Sequence, residues 1–421
     1  MFQTLRNAWK IPDLRKKILF TLLMIVIFRL GTYIPVPGLN PDALQSLLGE
    51  GDNLFALMDS FSGGAFSNAT IFAMSITPYI NSSIIIQLLT VAIPALERLA
   101  KEGEEGRKKL ATWTRYGTVI LALIQAIGLY FGLGSAVEHR GVLAFITIVA
   151  TFTAGTAFLM WLGEKITEFG IGNGISIIIF AGIVSRLPIM VGNIYQNVIM
   201  GQINIWVAVA IAILAIAVVA FVVFINDAER RIPVQYAKRM VGRKMYGGQS
   251  THIPIKVSMA GVIPIIFAMS ILAFPSTIMS FVGRPTTGFW ASFFNVISPG
   301  SWVYIVVYFL LILFFTYFYT AIQFNPIEVA NNMKKNGGFV PGIRPGKPTS
   351  DFISRVLTRI TLAGAIFLGL IAVLPLLLGK AIGFEISIGG TSLLIMVGVA
   401  LETVKQIEAQ MLMRHYKGFL E

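Results

Sequence analysis

The chain has 421 residues, of which 56% are hydrophobic and only 13% are charged. Soluble domains carry about 25% charged residues, so this composition excludes a water-soluble globular protein. Cys is absent and the three His are far apart, which argues against disulfides, thiolate chemistry and a local two-His metal motif. The net charge of +13 indicates either basic anchoring loops beside a membrane or an anionic partner.

Apolar stretches of about 20 residues, the length that crosses a bilayer as a helix, recur along the whole chain. The first follows a basic amino-terminal segment, but it is too long for a signal peptide and lacks a small-residue cleavage site, so we expect a retained helix. Ten spans are predicted, at residues 18–36, 69–93, 114–134, 142–162, 174–192, 203–225, 257–282, 302–324, 356–378 and 386–404.

The basic residues alternate between the two sides of these ten spans. An even number of spans places both termini on one side, and 28 Lys and Arg residues belong to that side against 4 on the other. Basic residues concentrate on the cytoplasmic side of membrane proteins, so we expect both termini in the cytoplasm. An error in one span would destroy the alternation, so the charge count also supports the number of spans.

Two cytoplasmic connections, 226–256 and 325–355, are about 30 residues long, basic and rich in Gly. Anchoring to the membrane explains basic loops by itself. An anchor needs only two or three residues, however, so loops of this length favour contact with phosphate groups or with an acidic protein.

The first external connection, 37–68, has the opposite character, because it is acidic and contains no basic residue. Within it, the apolar run 53–61 predicts a short helix. Ser62, Gly63 and Gly64 follow this run and predict the end of the helix and a hinge.

The spans carry few groups that could do chemistry. Spans 1 to 9 contain no Asp or Glu, and Glu402 lies near the cytoplasmic end of span 10, which disfavours ion-coupled transport. No nucleophile–base set or phosphate-binding G-x-x-x-x-G-K-[ST] motif is present, which disfavours an embedded enzyme. A secondary transporter of a small solute and an enzyme remain the alternatives to a channel. Arg29 in span 1 is explained by snorkelling or local pairing, and we assign it no function.

Helix-breaking residues occur inside three predicted spans. Such residues are tolerated where neighbouring helices or a cavity satisfy the freed carbonyl groups, so they predict kinked helices around an internal space. They are Pro78, Gly261, Pro264, Pro275 and Pro375.

Four sequence blocks resemble the SecY family, whose members are the central subunit of the bacterial protein-conducting channel. The resemblance runs from residue 15 to about residue 413, on a frame of ten spans with matching loop lengths. The most specific blocks are 80–89, 170–183, 249–256 with 259–264, and 337–346.

The resemblance implies an all-α membrane protein in which ten helices form two inverted five-helix halves, arranged as a clamshell around an hourglass pore. The halves would be residues 1–192, with spans 1–5, and residues 193–421, with spans 6–10 and the two long loops. The implied function is a gated channel that moves unfolded polypeptides across the bacterial cytoplasmic membrane and releases transmembrane segments into lipid. No catalytic residue, metal or cofactor is implied.

The resemblance also implies four groups of site residues. A ring of isoleucines would form the pore constriction, a plug at 54–64 would block the external funnel, spans 2, 3, 7 and 8 would form a lateral gate, and the cytoplasmic loops would dock a partner. The ring is Ile76, Ile80, Ile179, Ile266 and Ile395; the plug includes Leu54, Phe55, Leu57, Met58, Phe61, Gly63 and Gly64; the gate includes Gln87 and Ser258; the docking residues are Arg243, Lys244, Lys334, Lys335 and Arg344.

The partners implied by the resemblance are the subunits SecE and SecG, the motor ATPase SecA, the ribosome, signal sequences, unfolded secretory chains and lipid. Contact with the ribosome would involve the phosphate backbone of ribosomal RNA. Because the chain has no nucleotide-binding motif of its own, a partner must supply the energy for directed movement.

The predicted topology can be tested by single-cysteine labelling, because the chain has no native Cys. We expect Arg140→Cys and Arg284→Cys to react with an impermeant reagent added outside intact cells. Arg243→Cys and Lys335→Cys should react only after the cytoplasmic side is opened. Labelling of Arg243→Cys in sealed cells would contradict the ten-span arrangement.

Overall fold

The computed structural model describes residues 2–44, 59, 62–138, 141–201, 204–236, 239–241, 244–246, 250–282, 293, 296, 301–382 and 390–417. These residues are mostly helical. The helices are α1 (Phe2–Lys10), α2 (Pro12–Gly31), α3 (Thr77–Ala92), α4 (Pro94–Lys101), α5 (Glu104–Gly132), α6 (Val142–Phe169), α7 (Gly174–Ile199), α8 (Ile205–Asp227), α9 (Ile263–Val282), α10 (Trp302–Gln323), α11 (Pro326–Lys335), α12 (Lys347–Ile382) and α13 (Gly390–Lys417). A short 3-10 helix covers Gly134–Ala136.

Every predicted span contains a helix, and several helices continue beyond the predicted apolar limits. In the described part of the chain, six helices are long and apolar enough to cross a membrane: α5, α6, α7, α8, α10 continued by α11, and α12. The pair α3 and α4, bent by 103°, would make a seventh. The chain is therefore a multi-pass membrane protein, and the count of ten spans stays a prediction. In the second span the helix begins late, at Thr77 and not at residue 69.

The two long basic loops, predicted to be cytoplasmic, contain β-strands, so the prediction of an all-α protein is wrong in this region. Strands β1 (Glu229–Tyr236), β2 (Arg239–Val241), β3 (Lys244–Tyr246), β4 (Ser250–Lys256) and β5 (Gly338–Phe339) form two small sheets. In the first, β1 pairs antiparallel with both β4 and β5; in the second, β2 pairs with β3.

The alternation of buried and exposed residues explains why β1 forms a strand. Ile232 and Val234 are buried, while the residues between and before them are exposed. This period of two is that of a half-buried strand. Ile232 lies opposite Ile253 of β4, and Gln235 lies opposite Phe339 of β5.

Two of the predicted helix-breaking prolines do not break a helix. Pro78 and Pro264 are each the second residue of a helix, in α3 and α9, where the missing N–H would have no partner in any case. The prediction of kinks there is therefore wrong. Pro275 and Pro375 do lie in helix interiors. Gly261 lies in the turn before α9, with a φ of 59°.

Contacts divide the chain into two compact units. Unit 1 comprises residues 1–208, 269–304 and 399–421; unit 2 comprises 209–268 and 305–398. Each is described by itself below. The two sequence halves implied by the family resemblance stay a prediction.

One apolar cluster in unit 1 joins the two ends of the chain. Ala8, Leu14, Ile171 and Ile407 are buried together, so α1, α2, the loop before α7 and α13 pack at one place. Lys17 Nζ also donates to Gln410 Oε1 (3.4 Å). The amino-terminal and carboxyl-terminal helices therefore meet at the same end of unit 1.

In unit 2, the small sheet packs on the helices that follow it. Ile232, Val234 and Ile255 from the sheet share a buried cluster with Met333 of α11 and Ile353 of α12. Strands β1 and β4 are therefore part of a packed layer.

Close packing in unit 1 predicts a specific sensitivity at Gly155 of α6, where a Cβ would overlap the carbonyl oxygen of Ile71. We expect Gly155→Ala to lower the free energy of unfolding by about 1–3 kcal/mol, because the overlap is with backbone that cannot rotate away. Thermal unfolding of the purified protein in detergent measures this effect.

The control is Gly192→Ala in α7, where a Cβ would meet no atom within 4 Å. Because Ala favours a helix over Gly by about 1 kcal/mol, this variant should be as stable as the parent or slightly more stable. Equal unfolding temperatures for the two variants would contradict the packing described for Gly155.

Candidate functional site

The segment 62–76, which overlaps the end of the predicted plug (54–64), forms a series of tight turns. Two backbone hydrogen bonds tie it to the chain after α2: Val36 N–H donates to the Ala69 carbonyl (2.8 Å), and Ile71 N–H donates to the Ile34 carbonyl (3.0 Å). Ala69 also holds a positive φ of 50°, which a residue with a side chain adopts only at a cost in free energy. The surrounding contacts therefore impose the path of this segment.

The ring of Phe72 fixes the same segment from its other side. It stacks between Phe28 of α2 and Phe158 of α6, with centroid distances of 6.1 and 5.9 Å. At Gly31 of α2, a Cβ would overlap the Phe72 ring, so only Gly permits this approach. Aromatic stacking and a missing side chain together hold the 62–76 segment between two helices.

Three of the predicted ring isoleucines belong to unit 1. Ile76 ends the 62–76 segment as the N-cap residue of α3, with 1% of its surface exposed. Ile80 N–H donates to the Ile76 carbonyl (3.0 Å), so the two residues are one helical turn apart, although Ile76 precedes the helix that was expected to contain it. Ile179 lies in α7 and is 3% exposed.

The other two ring isoleucines belong to unit 2. Ile266 lies in the first turns of α9 and is partly buried, and Ile395 is fully buried in α13. An ordinary core isoleucine shows the same burial, so a role for the five residues in a common constriction stays a prediction.

The end of the predicted plug has a left-handed backbone at both of its glycines. Gly63 and Gly64 have φ angles of 68° and 90°, a left-handed conformation that Gly adopts without strain. Gly64 N–H donates to the carbonyl of Asp59 (3.1 Å), which closes the turn. The plug residues Leu54, Phe55, Leu57, Met58 and Phe61 lie outside the described residues.

Four polar side chains that sequence reasoning left unassigned meet beside this turn. They are Arg29 of α2, Asp59, and Ser185 and Arg186 of α7. The only signal in the sequence was that Arg29 is charged within a predicted span; its partners Gly63 and Ser185 lie 34 and 156 positions away, and no local pattern connects them with Arg29. Asp59 and Arg186, both placed outside the membrane by the charge count, form an ion pair.

The two predicted lateral-gate residues have different surroundings. Gln87 of α3 is exposed, and its Nε2 donates to Ser83 Oγ (3.3 Å) on the same helix. Ser258 lies just before α9, and its buried hydroxyl has no hydrogen-bond partner among the described residues. The gating role of both residues stays a prediction.

The predicted docking residue Arg344 lies on a turn that is held by a buried side chain and by hydrogen bonds. We call residues 338–346 the docking turn. Val340 is buried in the cluster of unit 2, and Ile343 N–H donates to the Val340 carbonyl (3.0 Å). Thr349 Oγ1 donates to the Arg344 carbonyl (2.8 Å), while the Arg344 side chain is exposed. The docking turn is therefore held in place, and it exposes the guanidinium group of Arg344 at the surface.

The other predicted docking residues lie in α11, in β3 or outside the described part. Lys334 and Lys335 are exposed in the last turn of α11, where a positive charge is favourable beside the helix carbonyl groups. Lys244 is in β3, and Arg243 lies outside the described residues. Among the residues that the structure describes, no group of three or more His, Asp and Glu could hold a metal ion.

Comparisons with known proteins agree on one family. A family model described as SecY matches residues 70–404. The chain is 48% identical to the protein translocase subunits SecY of Halalkalibacterium halodurans, over 435 residues, and of Bacillus subtilis, over 437 residues, with all of each chain covered.

Solved structures show the same fold at lower identity. A structure described as a protein-conducting channel has a TM-score of 0.66 and 19% identity, covering 94% of this chain and 92% of its own. Canine Sec61 in a ribosome–channel complex has a TM-score of 0.63 and 18% identity, with the same coverage. These matches do not favour a solute transporter or an embedded enzyme. The chain belongs to the SecY family and is a channel subunit of the protein translocase.

Proposed function

We propose that this protein is the gated pore through which unfolded polypeptides cross the bacterial cytoplasmic membrane and through which transmembrane segments pass sideways into lipid. The observation that carries this proposal is the 48% identity to SecY translocase subunits over their full length. The proposed architecture is ten helices in two inverted halves, residues 1–192 and 193–421. Contact between α1, α2 and α13 supports a position of both termini on the same side of the membrane, and the excess of basic residues on that side makes the cytoplasm the proposed side.

The proposed constriction is a ring made by Ile76, Ile80, Ile179, Ile266 and Ile395. Branched apolar side chains leave no hydrogen-bond partner for water, so a narrow ring of them stays dry and excludes hydrated ions. The same side chains can change rotamer around a passing peptide.

The proposed plug, residues 54–64, backs this ring on the external side. Its attachment to the protein supports the role, because the 62–76 segment leads from Gly63 and Gly64 directly to Ile76. The plug end and the first ring residue are therefore joined by one short stretch of chain. The proposed lateral gate uses spans 2, 3, 7 and 8, with Gln87 and Ser258 as polar contacts.

The cytoplasmic loops are the proposed docking surface for the partner that drives transport. Solved relatives include Sec61 on a canine ribosome and yeast Ssh1 bound to the 80S ribosome, which supports the ribosome as one partner. SecA is the proposed motor for secretion, and SecE and SecG are the proposed accompanying subunits. The exposed side chain of Arg344 on its rigid turn suits contact with phosphate or carboxylate groups.

The ring predicts that bulk and dryness, and not the identity of isoleucine, maintain the seal. We expect the double variant Ile80→Ser, Ile266→Ser to conduct ions in a planar bilayer without substrate, because hydroxyl groups let water span the constriction. The corresponding double change to Leu should remain ion-tight, since apolar volume is conserved.

A matched control is Ile85→Ser, on the same helix as Ile80 but exposed. This variant should conduct no more than the parent. The ring would be placed wrongly if the double Ser variant were ion-tight and if crosslinks from all five positions failed to reach a stalled substrate.

The docking proposal predicts a strong effect of charge reversal at Arg344. Arg344→Glu should reduce SecA ATPase stimulation and substrate transport about tenfold, because it places the wrong charge at the partner surface. Insertion and unfolding temperature should be unchanged, because the side chain is exposed. Arg344→Lys should retain most of the activity at low salt.

Arg6→Glu makes the same change in net charge on the exposed face of α1 and serves as the control. It should leave ATPase stimulation unaltered. Normal transport by Arg344→Glu, at normal expression, would show that the docking turn serves only to anchor the protein.

A further inference from the structure

Asp59 is a nearly buried carboxylate that joins two parts of unit 1. Its side chain is 5% exposed, and its Oδ2 forms an ion pair with Arg186 Nη2 of α7 (2.7 Å). Its Oδ1 accepts a hydrogen bond from Ser67 N–H (2.8 Å) in the 62–76 segment. A carboxylate removed from water is stable only while such partners remain. Any movement of Asp59 away from α7 must therefore break a charged contact.

Arg29 makes a second polar connection at the same place. Its Nη1 donates to the carbonyl of Gly63 (3.3 Å) and to Ser185 Oγ (3.0 Å). Ser185 Oγ in turn donates to the carbonyl of Gly182 (2.7 Å). One guanidinium nitrogen of Arg29 thus links the main chain of Gly63, at the plug end, to Ser185 of α7.

The main chains are also in direct contact beneath these side chains. A Cβ at Gly63 would lie 2.8 Å from the carbonyl oxygen and 2.9 Å from the Cα of Gly182. At Gly64 the nearest atom would be 3.9 Å away. Gly63 therefore lies against α7, whereas Gly64, with the same left-handed backbone, has free space around it.

The chain on the other side of these glycines is held by a different kind of contact. The backbone bonds of Ala69 and Ile71 and the stacked ring of Phe72 attach it to α2 and α6. Release on this side would break two backbone hydrogen bonds, whose groups find no other partner in lipid, together with an aromatic stack. The side-chain contacts of Arg29 and Asp59 can instead be exchanged for water. The side held by Arg29 and Asp59 is therefore the side that can release.

We propose that Arg29, Asp59, Ser185 and Arg186 form a polar latch that holds the plug end on α7, and that opening the channel requires the latch to break while the 69–72 attachment stays in place. The inference rests on the proposed function of residues 54–64 as a plug. It adds the positioning residues that set how readily the plug leaves.

Removing either partner of the ion pair leaves the other charge poorly solvated and should weaken the closed state. Asp59→Asn keeps an oxygen for the Ser67 N–H, so it removes only the charge. Arg186→Gln and Arg29→Gln remove the other contacts of the latch. The control is Tyr33→Phe, which deletes only the exposed bond from Arg29 Nη2 to Tyr33 Oη.

The measurement is potassium efflux, without substrate, from KCl-loaded liposomes that contain the full-length chain with its partner subunits. Efflux should rise about tenfold in Asp59→Asn, Arg186→Gln and Arg29→Gln, and remain unchanged in Tyr33→Phe. The double variant Asp59→Asn, Arg186→Gln should leak no more than the worse single variant, because the two residues share one interaction. Fully additive leaks would overturn the pairing.

Deletion of residues 54–64 distinguishes a failure of the latch proposal from a failure of the plug proposal. If the deletion leaks while the single variants stay tight, the plug is correct and the latch is wrong. If the deletion is also tight, the proposed plug fails and the latch fails with it.

A second pair of variants does not depend on charge or on an unpaired buried group. Gly63→Ala and Gly64→Ala both place a side chain on left-handed backbone, with φ of 68° and 90°, so the strain is no smaller in the second. Only the first presses a methyl group against Gly182. Efflux should therefore rise in Gly63→Ala well above that in Gly64→Ala. Equal efflux from two variants that are inserted in equal amounts would overturn the proposed contact between the plug end and α7.

Discussion

Hydrogen bonding of irregular backbone inside a membrane protein is the constraint on which the rest of this structure depends. Lipid offers no partner to an N–H or carbonyl group, so non-helical chain at membrane depth must be satisfied by protein. Here the 62–76 segment lies partly within a predicted span and is not helical. The chain after α2, the turn closed by Asp59 and the side chain of Arg29 supply its partners. Helices α2, α6 and α7 all contact this segment and enclose its backbone.

The same constraint explains why small residues occur where the helices meet this segment. Gly31 admits the ring of Phe72, Gly155 admits the carbonyl of Ile71, and Gly63 brings the chain against α7. Each lets two backbones approach more closely than side chains would allow, which is the usual way that membrane helices gain packing energy. Close contact and freedom of the backbone are thus separated, since Gly64, directly after Gly63, keeps free space around it.

The sequence predicted the helices well because each apolar run is long and lies between charged residues. Their ends were less accurate: α12 begins at Lys347 and not at residue 356, since a helix can continue into water on an amphipathic face. The strands were missed because β1 buries only two residues, Ile232 and Val234, which are too few to identify a strand by their period. The ring and docking residues came from family resemblance alone. Arg29, Asp59 and Arg186 were missed because tertiary contact, and no local pattern, brings them together.

The cluster that joins the chain ends has a consequence for biosynthesis. Lys17 and Gln410 are 393 positions apart, so their contact forms only after the last helix has been made. At ribosomal rates of about 5–20 residues per second, α1 and α2 wait roughly 20–80 s for α13. During that interval Ala8, Leu14 and Ile171 lack the cover that Ile407 later provides. A nascent chain of this protein therefore presents an apolar surface that a folding factor can recognise, and the surface disappears when assembly is complete.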